Sequence, residues 1–240
     1  MIHVRGLAKR FGTRVVLAGL DATMVRGRVT ALMGPNGAGK TTFLKILLGL
    51  ARADAGTVAV GDRVLDGSPE YRRQIGYMPQ IARFPAHLSG RDLLGMLAAL
   101  RGDDMAPDLT LAEAFALAEQ FDRPLGVLSG GTRQKVNAVL ALAFRPAVLI
   151  LDEPTAGLDP LACRVLKDRL LAERARGTTV LITSHVLPEL EELADDVLYL
   201  DAGRAAWAGG VRELARHTGE PTLERAVARL LAGGAALAVA

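Results

Sequence analysis

An α/β fold around a mainly parallel, helix-covered sheet is what this sequence predicts, on three observations. Compact apolar runs of strand length alternate with amphipathic segments, a glycine-rich turn joins one such run to a helix, and a block of helical pattern interrupts the alternation midway. With 240 residues, 50% of them hydrophobic, the chain can bury a sizeable core and is expected to form one domain with a subdomain.

The elements follow in order. Ile2–Val4, Val15–Leu17 and Val29–Met33 read as short strands, the last leading straight into glycine-rich sequence and a helix over Lys40–Gly49. Gly56–Val60 and Ile75–Met78 read as further strands, separated by turn residues at Gly61-Asp62 and Gly67-Ser68-Pro69. From Ser89 to Phe144 the pattern is helical. Ser89 with Asp92, and Thr110 with Glu113, have the spacing of helix-start capping boxes. Alternation then resumes with a strand at Val148–Asp152, a helix after Pro160, a strand at Thr179–Thr183, a helix near Leu187–Leu193 and a strand at Val197–Leu200. In the tail, Leu223, Ala226, Val227 and Leu230 share one helical face.

Composition narrows the functional classes. Lys and Arg number 29 against 26 Asp and Glu, a net charge of +3, and the signs alternate along the chain. That is a solvated surface more than a nucleic-acid stripe, and no direct nucleic-acid partner is expected. Cys163 is the sole cysteine, which rules out an intramolecular disulfide and a cysteine zinc cluster and suits a reducing compartment. Met1-Ile2-His3-Val4-Arg5 lacks the features of a signal peptide, so a cytoplasmic location is expected. The stretch Ala138 to Phe144 is stopped by Arg145-Pro146, and the alanine-rich end from Leu230 carries Gly233-Gly234. Neither offers the roughly 20 apolar residues of a membrane span. His3, His87 and His217 lack a context that would assign them a role.

Three segments carry chemistry. Gly34-Pro35-Asn36-Gly37-Ala38-Gly39-Lys40-Thr41 fits GxxxxGK[ST] between a strand and a helix, so backbone N–H groups can curl around phosphate oxygens. Lys40 would reach the β- and γ-phosphates, the Thr41 hydroxyl would bind Mg²⁺, and Thr42 follows in the same turn. Val148–Asp152 is an apolar strand that delivers two carboxylates at its C-terminal end. Asp152 would hold Mg²⁺ and Glu153 could polarise an attacking water. Leu128-Ser129-Gly130-Gly131-Thr132-Arg133-Gln134 is a Ser-Gly-Gly turn that opens a helix, a second place for backbone N–H groups to hold an anion.

This last segment resembles LSGGQ, the signature motif of ABC-family ATPases, with Thr132 in the final place. The resemblance extends from Phe11 to His185 in the family's order. It implies a P-loop NTPase fold of the ABC type, with an N-terminal antiparallel β part, an ATPase core over 1–80 and 146–210, a helical subdomain over 81–145 and a helical tail over 211–240. Phe11 resembles the family's adenine-stacking aromatic, although Tyr is more usual there. Gln80 resembles the glutamine that contacts Mg²⁺ or water, and His185 the switch histidine that touches the γ-phosphate. Asp159, before Pro160, is a good helix N-cap; in the family its loop also communicates across a dimer.

The resemblance implies ATP and Mg²⁺ as cofactors and ATP hydrolysis as the activity. The signature turn of one subunit, Ser129, Gly130 and Gly131, would complete the phosphate loop of a second ATPase subunit, most simply in a homodimer. A separate transmembrane permease would be the other partner, placing the chain peripherally on the inner face of the membrane. Its docking surface is expected within Arg83–Asp92, which includes Phe84, Pro85 and Leu88. Phe84-Pro85 before Leu88-Ser89-Gly90-Arg91, and Ser184-His185-Val186-Leu187-Pro188, are similar to the ATPase subunit used in maturing copper-containing nitrous-oxide reductase. The competing class is a soluble ABC ATPase acting on nucleic acid or ribosomes, whose relatives usually carry a long insertion or two cassettes. This sequence has neither.

Overall fold

The structure, a computed structural model, describes residues 1–102 and 106–232. Gly233-Gly234 and the end of the expected tail lie outside them. In chain order the elements are β1 (Ile2–Phe11), β2 (Arg14–Met24), β3 (Val29–Met33), α1 (Lys40–Leu47), β4 (Ala55–Val60), β5 (Arg63–Val64), β6 (Ile75–Met78), α2 (Gly90–Arg101) and α3 (Thr110–Ala114). There follow α4 (Gly130–Leu142), β7 (Val148–Asp152), α5 (Pro160–Ala175), β8 (Thr179–Thr183), α6 (Leu187–Leu193), β9 (Asp196–Asp201), β10 (Arg204–Gly210), α7 (Val211–Thr218) and α8 (Leu223–Ala232). They divide into two units, Met1–Arg72 with the chain from Thr179 onward, and Arg73–Thr178.

The first unit contains an antiparallel sheet in the order β2-β1-β4-β5. Strands β1 and β2 are much longer than the three-residue runs read from sequence. Register shifts fall between Val4 and Leu7, between Leu7 and Ala8, and between Lys9 and Arg10, and Gly6 and Gly19 have left-handed φ values of 56° and 81°. Each bulge moves the following side chains to the other face, which erases the two-residue alternation that would reveal the strand. The same unit holds a parallel set, β3 paired with β8 (Val29 opposite Val180) and with β9 (Met33 opposite Tyr199), to which β10 adds antiparallel. All residues of β3 and β8 are buried, as expected of strands covered on both faces. Helix α1 buries Phe43, Leu44, Ile46 and Leu47, and α8 buries the four residues that share its face, Leu223, Ala226, Val227 and Leu230.

The second unit pairs β6 with β7 in parallel, from Ile75 opposite Val148 to Met78 opposite Leu151, together with α2 to α5. Gly76 is required for packing, since a Cβ there would collide with the Ala141 carbonyl oxygen of α4. Helix α2 starts with the expected box, the Ser89 N–H bonding Asp92 at 2.9 Å and the Asp92 N–H returning to the Ser89 hydroxyl at 3.1 Å. The second expected box does not form. Thr110 is the first residue inside α3, its N-cap is Leu109, and the carboxylate that accepts the Thr110 N–H belongs to Asp108, at 3.1 Å. A carboxylate one residue outside the turn outcompetes the hydroxyl because it also collects charged donors.

Asp108 is the centre of a buried ionic cluster. Its side chain is 4% exposed and lies 2.9 Å from the Arg169 guanidinium of α5, which also reaches Glu173, 2% exposed, at 2.9 Å. Burial alone would raise the Asp108 pKa, but hydrogen bonds from Thr110 and Arg169 outweigh it and hold the carboxyl well below its ordinary value. Stability from this depressed pKa is fully present above about pH 4 and is lost as acid protonates the folded carboxylate. Arg169→Met should therefore cost about 3 kcal/mol at neutral pH by leaving buried carboxylates short of charge. Urea unfolding of both proteins should show the difference shrinking as the pH falls below 4.

Candidate functional site

Parallel pairing aligns the C-terminal ends of neighbouring strands, where open α/β sheets bind ligands. In the first unit β3 runs into the glycine loop and its neighbour β8 runs into Ser184-His185, so the two segments leave adjacent strands at the same end. In the second unit β6 leads to Pro79-Gln80 and its neighbour β7 to Asp152-Glu153 by the same logic.

The glycine loop follows its sequence pattern for steric reasons. Gly34, Gly37 and Gly39 have φ values of 140°, 83° and 108°, which L side chains rarely adopt. A Cβ on Gly34 would collide with the Leu200 carbonyl oxygen at the end of β9, and one on Gly39 would lie 2.8 Å from the Val16 carbonyl oxygen. Helix α1 starts at Gly39 without a side-chain cap, so its first N–H groups are directed into the loop. The Lys40 ammonium folds back into the same loop, donating to the Gly34 carbonyl at 2.6 Å and the Pro35 carbonyl at 3.1 Å. Pro35, Asn36, Gly37 and Thr41 are exposed, Ala38 is buried, and Thr42 is half-buried behind them.

Phe11 ends β1 with 54% of its surface exposed, so it is not a core aromatic, and the Lys9 ammonium lies 5.2 Å from its ring centroid. His185 is exposed after β8, in a turn held by the Ser184 hydroxyl accepting the Val186 N–H at 3.0 Å. Arg14 is a neighbour that sequence reasoning missed. Its guanidinium lies beside Gly37, 3.4 Å from where a Cβ would stand, placing a further cation at the loop. A lone arginine in a strand carries no sequence signal for this.

In the second unit, Gln80 is exposed directly after Pro79. Asp152 closes β7 half-buried, and its charge, after burial, helps push the Tyr77 hydroxyl pKa up. Glu153 takes a left-handed φ of 49°, strained for a side chain of this kind, which turns it off the strand. The signature turn is capped by Ser129, whose hydroxyl accepts the Thr132 N–H at 3.1 Å and lies 2.8 Å from the Thr132 hydroxyl. The residue that departs from the family pattern is thus engaged in the turn itself. Nothing lies within 4 Å of a Cβ on Gly130, whereas one on Gly131 would be 2.9 Å from the Gly157 carbonyl oxygen.

Asp159 caps α5 through the Ala162 N–H at 2.8 Å, as its sequence context predicts, and also pairs with Lys135 of α4 at 2.8 Å. The Lys135 hydrogen bond, followed by the capping bond, lowers the Asp159 pKa. Among the described residues no group of three or more His, Cys, Asp or Glu is arranged to hold a metal ion.

The sequence pattern of the ABC transporter family matches residues 17–156. A Nod factor export ATP-binding protein I from Burkholderia orbicola is 38% identical over 221 residues, 89% of this chain and 72% of that protein. A daunorubicin resistance ATP-binding protein from Streptomyces coeruleorubidus is 37% identical over 245 residues, 99% of this chain and 77% of that protein. The solved ATP-binding subunit of an ABC transporter superposes with a TM-score of 0.91 at 30% identity, covering 96% of this chain and 99% of that one. A dimeric bacterial ABC transporter cassette shares the fold, with a TM-score of 0.78 at 22% identity over 88% of this chain and 99% of that one. The narrower resemblance to the nitrous-oxide reductase maturation ATPase finds no support in these relatives. Its residues have local reasons to be there: Ser89 caps α2, a Cβ on Gly90 would lie 2.8 Å from the Phe121 ring, and Pro188 sits in the first turn of α6.

The loop geometry separates two glycine substitutions. Gly34→Ala should lower stability by at least about 1 to 3 kcal/mol from backbone strain and weaken binding of a fluorescent ATP analogue about tenfold or more. Gly130→Ala, in open space, should leave thermal unfolding essentially unchanged.

Proposed function

This chain belongs to the ABC transporter family as an ATP-hydrolysing subunit, and from that premise we propose that two copies clamp two ATP molecules and drive a separate membrane-spanning permease in export. The reading rests on one observation: a single chain carries both a glycine cradle with an inward lysine and a second, open Ser-Gly-Gly helix start. One anion site per chain would serve an ordinary NTPase. Two sites of different build suit a head-to-tail pair in which each nucleotide is held by the loop of one copy and the turn of the other. The names of the relatives, Nod factor export and daunorubicin resistance, favour export. No helix of the described residues is long and apolar enough to cross a membrane, which fits a subunit that recruits its permease at the inner face.

In this reading Phe11 stacks on adenine, the backbone N–H groups of Gly34 to Gly39 with Thr41 and Thr42 hold the phosphates, and Lys40 exchanges its two carbonyl partners for phosphate oxygens. Thr41, Gln80 and Asp152, the residues that would hold Mg²⁺, offer oxygen donors and a single carboxylate. This suits Mg²⁺, which is commonly held by one or two carboxylates and completed by substrate phosphates. When bound, Mg²⁺ neutralises charge developing on the phosphates. Glu153, turned off its strand, accepts a proton from the attacking water, while His185 contacts the γ-phosphate. The partner's Ser129, Gly130 and Gly131 would close on that phosphate, and Asp159 would carry the state of the site across the dimer. Hydrolysis weakens these contacts and releases the pair, so ATP acts by shifting a two-state equilibrium.

Glu153→Gln keeps the shape of the side chain and removes its base. It should bind ATP, accumulate as a dimer in size-exclusion chromatography with ATP, and lose about a hundredfold or more of its turnover. Near-normal hydrolysis would remove Glu153 from this role.

The permease would dock on Arg83–Asp92. This stretch begins beside Ile81, which is 69% exposed, and contains the half-buried Phe84 and exposed Arg91, paired with Asp122. Phe84→Ala and Arg91→Glu should leave ATP hydrolysis by the isolated subunit in place while reducing transport in a reconstituted complex. Full coupling in both variants would place the docking surface elsewhere.

A further inference from the structure

Helix α4 carries two buried polar side chains for which the family reading assigns no role. Gln134 is 7% and Asn137 1% exposed, one turn apart on a helix otherwise buried through Val136, Ala138, Val139 and Leu142. Burying an amide is costly unless it is hydrogen-bonded, and the partners here are specific. The Asn137 amide donates to the carbonyl of Pro79 at 2.9 Å and to the Gln134 side-chain oxygen at 3.3 Å. The Gln134 amide in turn reaches the carbonyl of Pro154 at 3.4 Å. Pro79 immediately precedes Gln80, and Pro154 immediately follows Glu153.

We propose that Asn137, working with Gln134, is a positioning residue that fixes the backbone on which Gln80 and Glu153 are presented and ties both to the helix begun by the signature turn. Three features argue for this over a purely structural role. The acceptors are proline carbonyls in loops, not members of a helix or sheet ladder, so the two amides hold loop backbone directly. The shortest bond goes to the loop of Gln80, which is exposed and has little packing of its own to hold it. Finally, Asn is a poor helix-interior residue and Ala a good one, so an amide buried here opposes local helix propensity and is retained for its contacts. The inference rests on the roles given above to Gln80 and Glu153. Both amides are buried against loop backbone, so they act through those two loops.

Asn137→Ala and the near-isosteric Gln134→Met test it in the full-length chain, with Leu170→Ala as a control that loses buried volume on α5 in the same unit. Steady-state hydrolysis is measured against ATP and against Mg²⁺, together with thermal unfolding. The expected result for Asn137→Ala is a fall in kcat of tenfold or more, KM for ATP within about twofold, and a severalfold rise in the Mg²⁺ concentration giving half-maximal rate. Gln134→Met should lower kcat with less effect on Mg²⁺. Leu170→Ala should lower the melting temperature without moving the Mg²⁺ dependence. The proposal is overturned if Asn137→Ala retains wild-type kcat and Mg²⁺ dependence, or changes them no more than Leu170→Ala does. If Asn137→Ala does not fold, Gln134→Met decides alone, and a wild-type kcat in it overturns the proposal. Glu153→Gln separates the two levels: if it too is active, the assignment of the site fails, whereas an inactive Glu153→Gln beside an unaffected Asn137→Ala refutes only the positioning role.

Discussion

Parallel pairing of neighbouring strands is the constraint from which the placement of the chemistry follows. Once Val29 sits opposite Val180 and Ile75 opposite Val148, the ends of β3 and β8, and of β6 and β7, are aligned. Residues more than seventy positions apart in the chain are thereby brought to the same end of a strand pair. The sheet needs no catalytic residues in its interior, and β3 and β8 are buried throughout. The glycine loop, Gln80, Glu153 and His185 all lie in the first few residues beyond a strand, where backbone geometry is free to depart from the ladder.

That departure has its own cost, and the chain meets it in two ways. In the phosphate loop it uses glycine, because φ values of 140° and 108° with carbonyl oxygens of Leu200 and Val16 close by leave no room for a Cβ. After β7 it does not: Glu153 takes a left-handed φ with a full side chain. A glycine there would relieve the strain but delete the carboxylate on which the proposed role of this position depends. The neighbouring Pro154, itself buried and tied to Gln134, limits the routes by which this turn can relax.

The parts legible in the sequence were those with a local cause. A glycine loop between an apolar strand and a helix, a Ser-Gly-Gly helix start, the Ser89–Asp92 box and the apolar face of α8 all state their geometry within a few residues. What the sequence hid depended on distant partners. The full length of β1 and β2 was masked by bulges, and the Thr110–Glu113 spacing lost to Asp108, whose advantage comes from Arg169 some sixty residues away. The contacts of Arg14, Lys135, Gln134 and Asn137 were hidden for the same reason. Each acts through a neighbour that only folding supplies.

Lys40 shows how such a site can be ready before its substrate arrives. Its ammonium is already held by the carbonyls of Gly34 and Pro35, so its long side chain has lost most of its rotamer freedom to the fold. In the proposed reading a phosphate entering the loop would exchange neutral carbonyl acceptors for anionic oxygens, a stronger hydrogen bond at little further entropic cost. The carbonyls released by that exchange lie on exposed or half-exposed backbone, where water can satisfy them. Binding energy is therefore not consumed in ordering the lysine. It would remain available for contacts that depend on the γ-phosphate, the part of the nucleotide whose presence or loss, in the proposed clamp, decides whether two copies hold together.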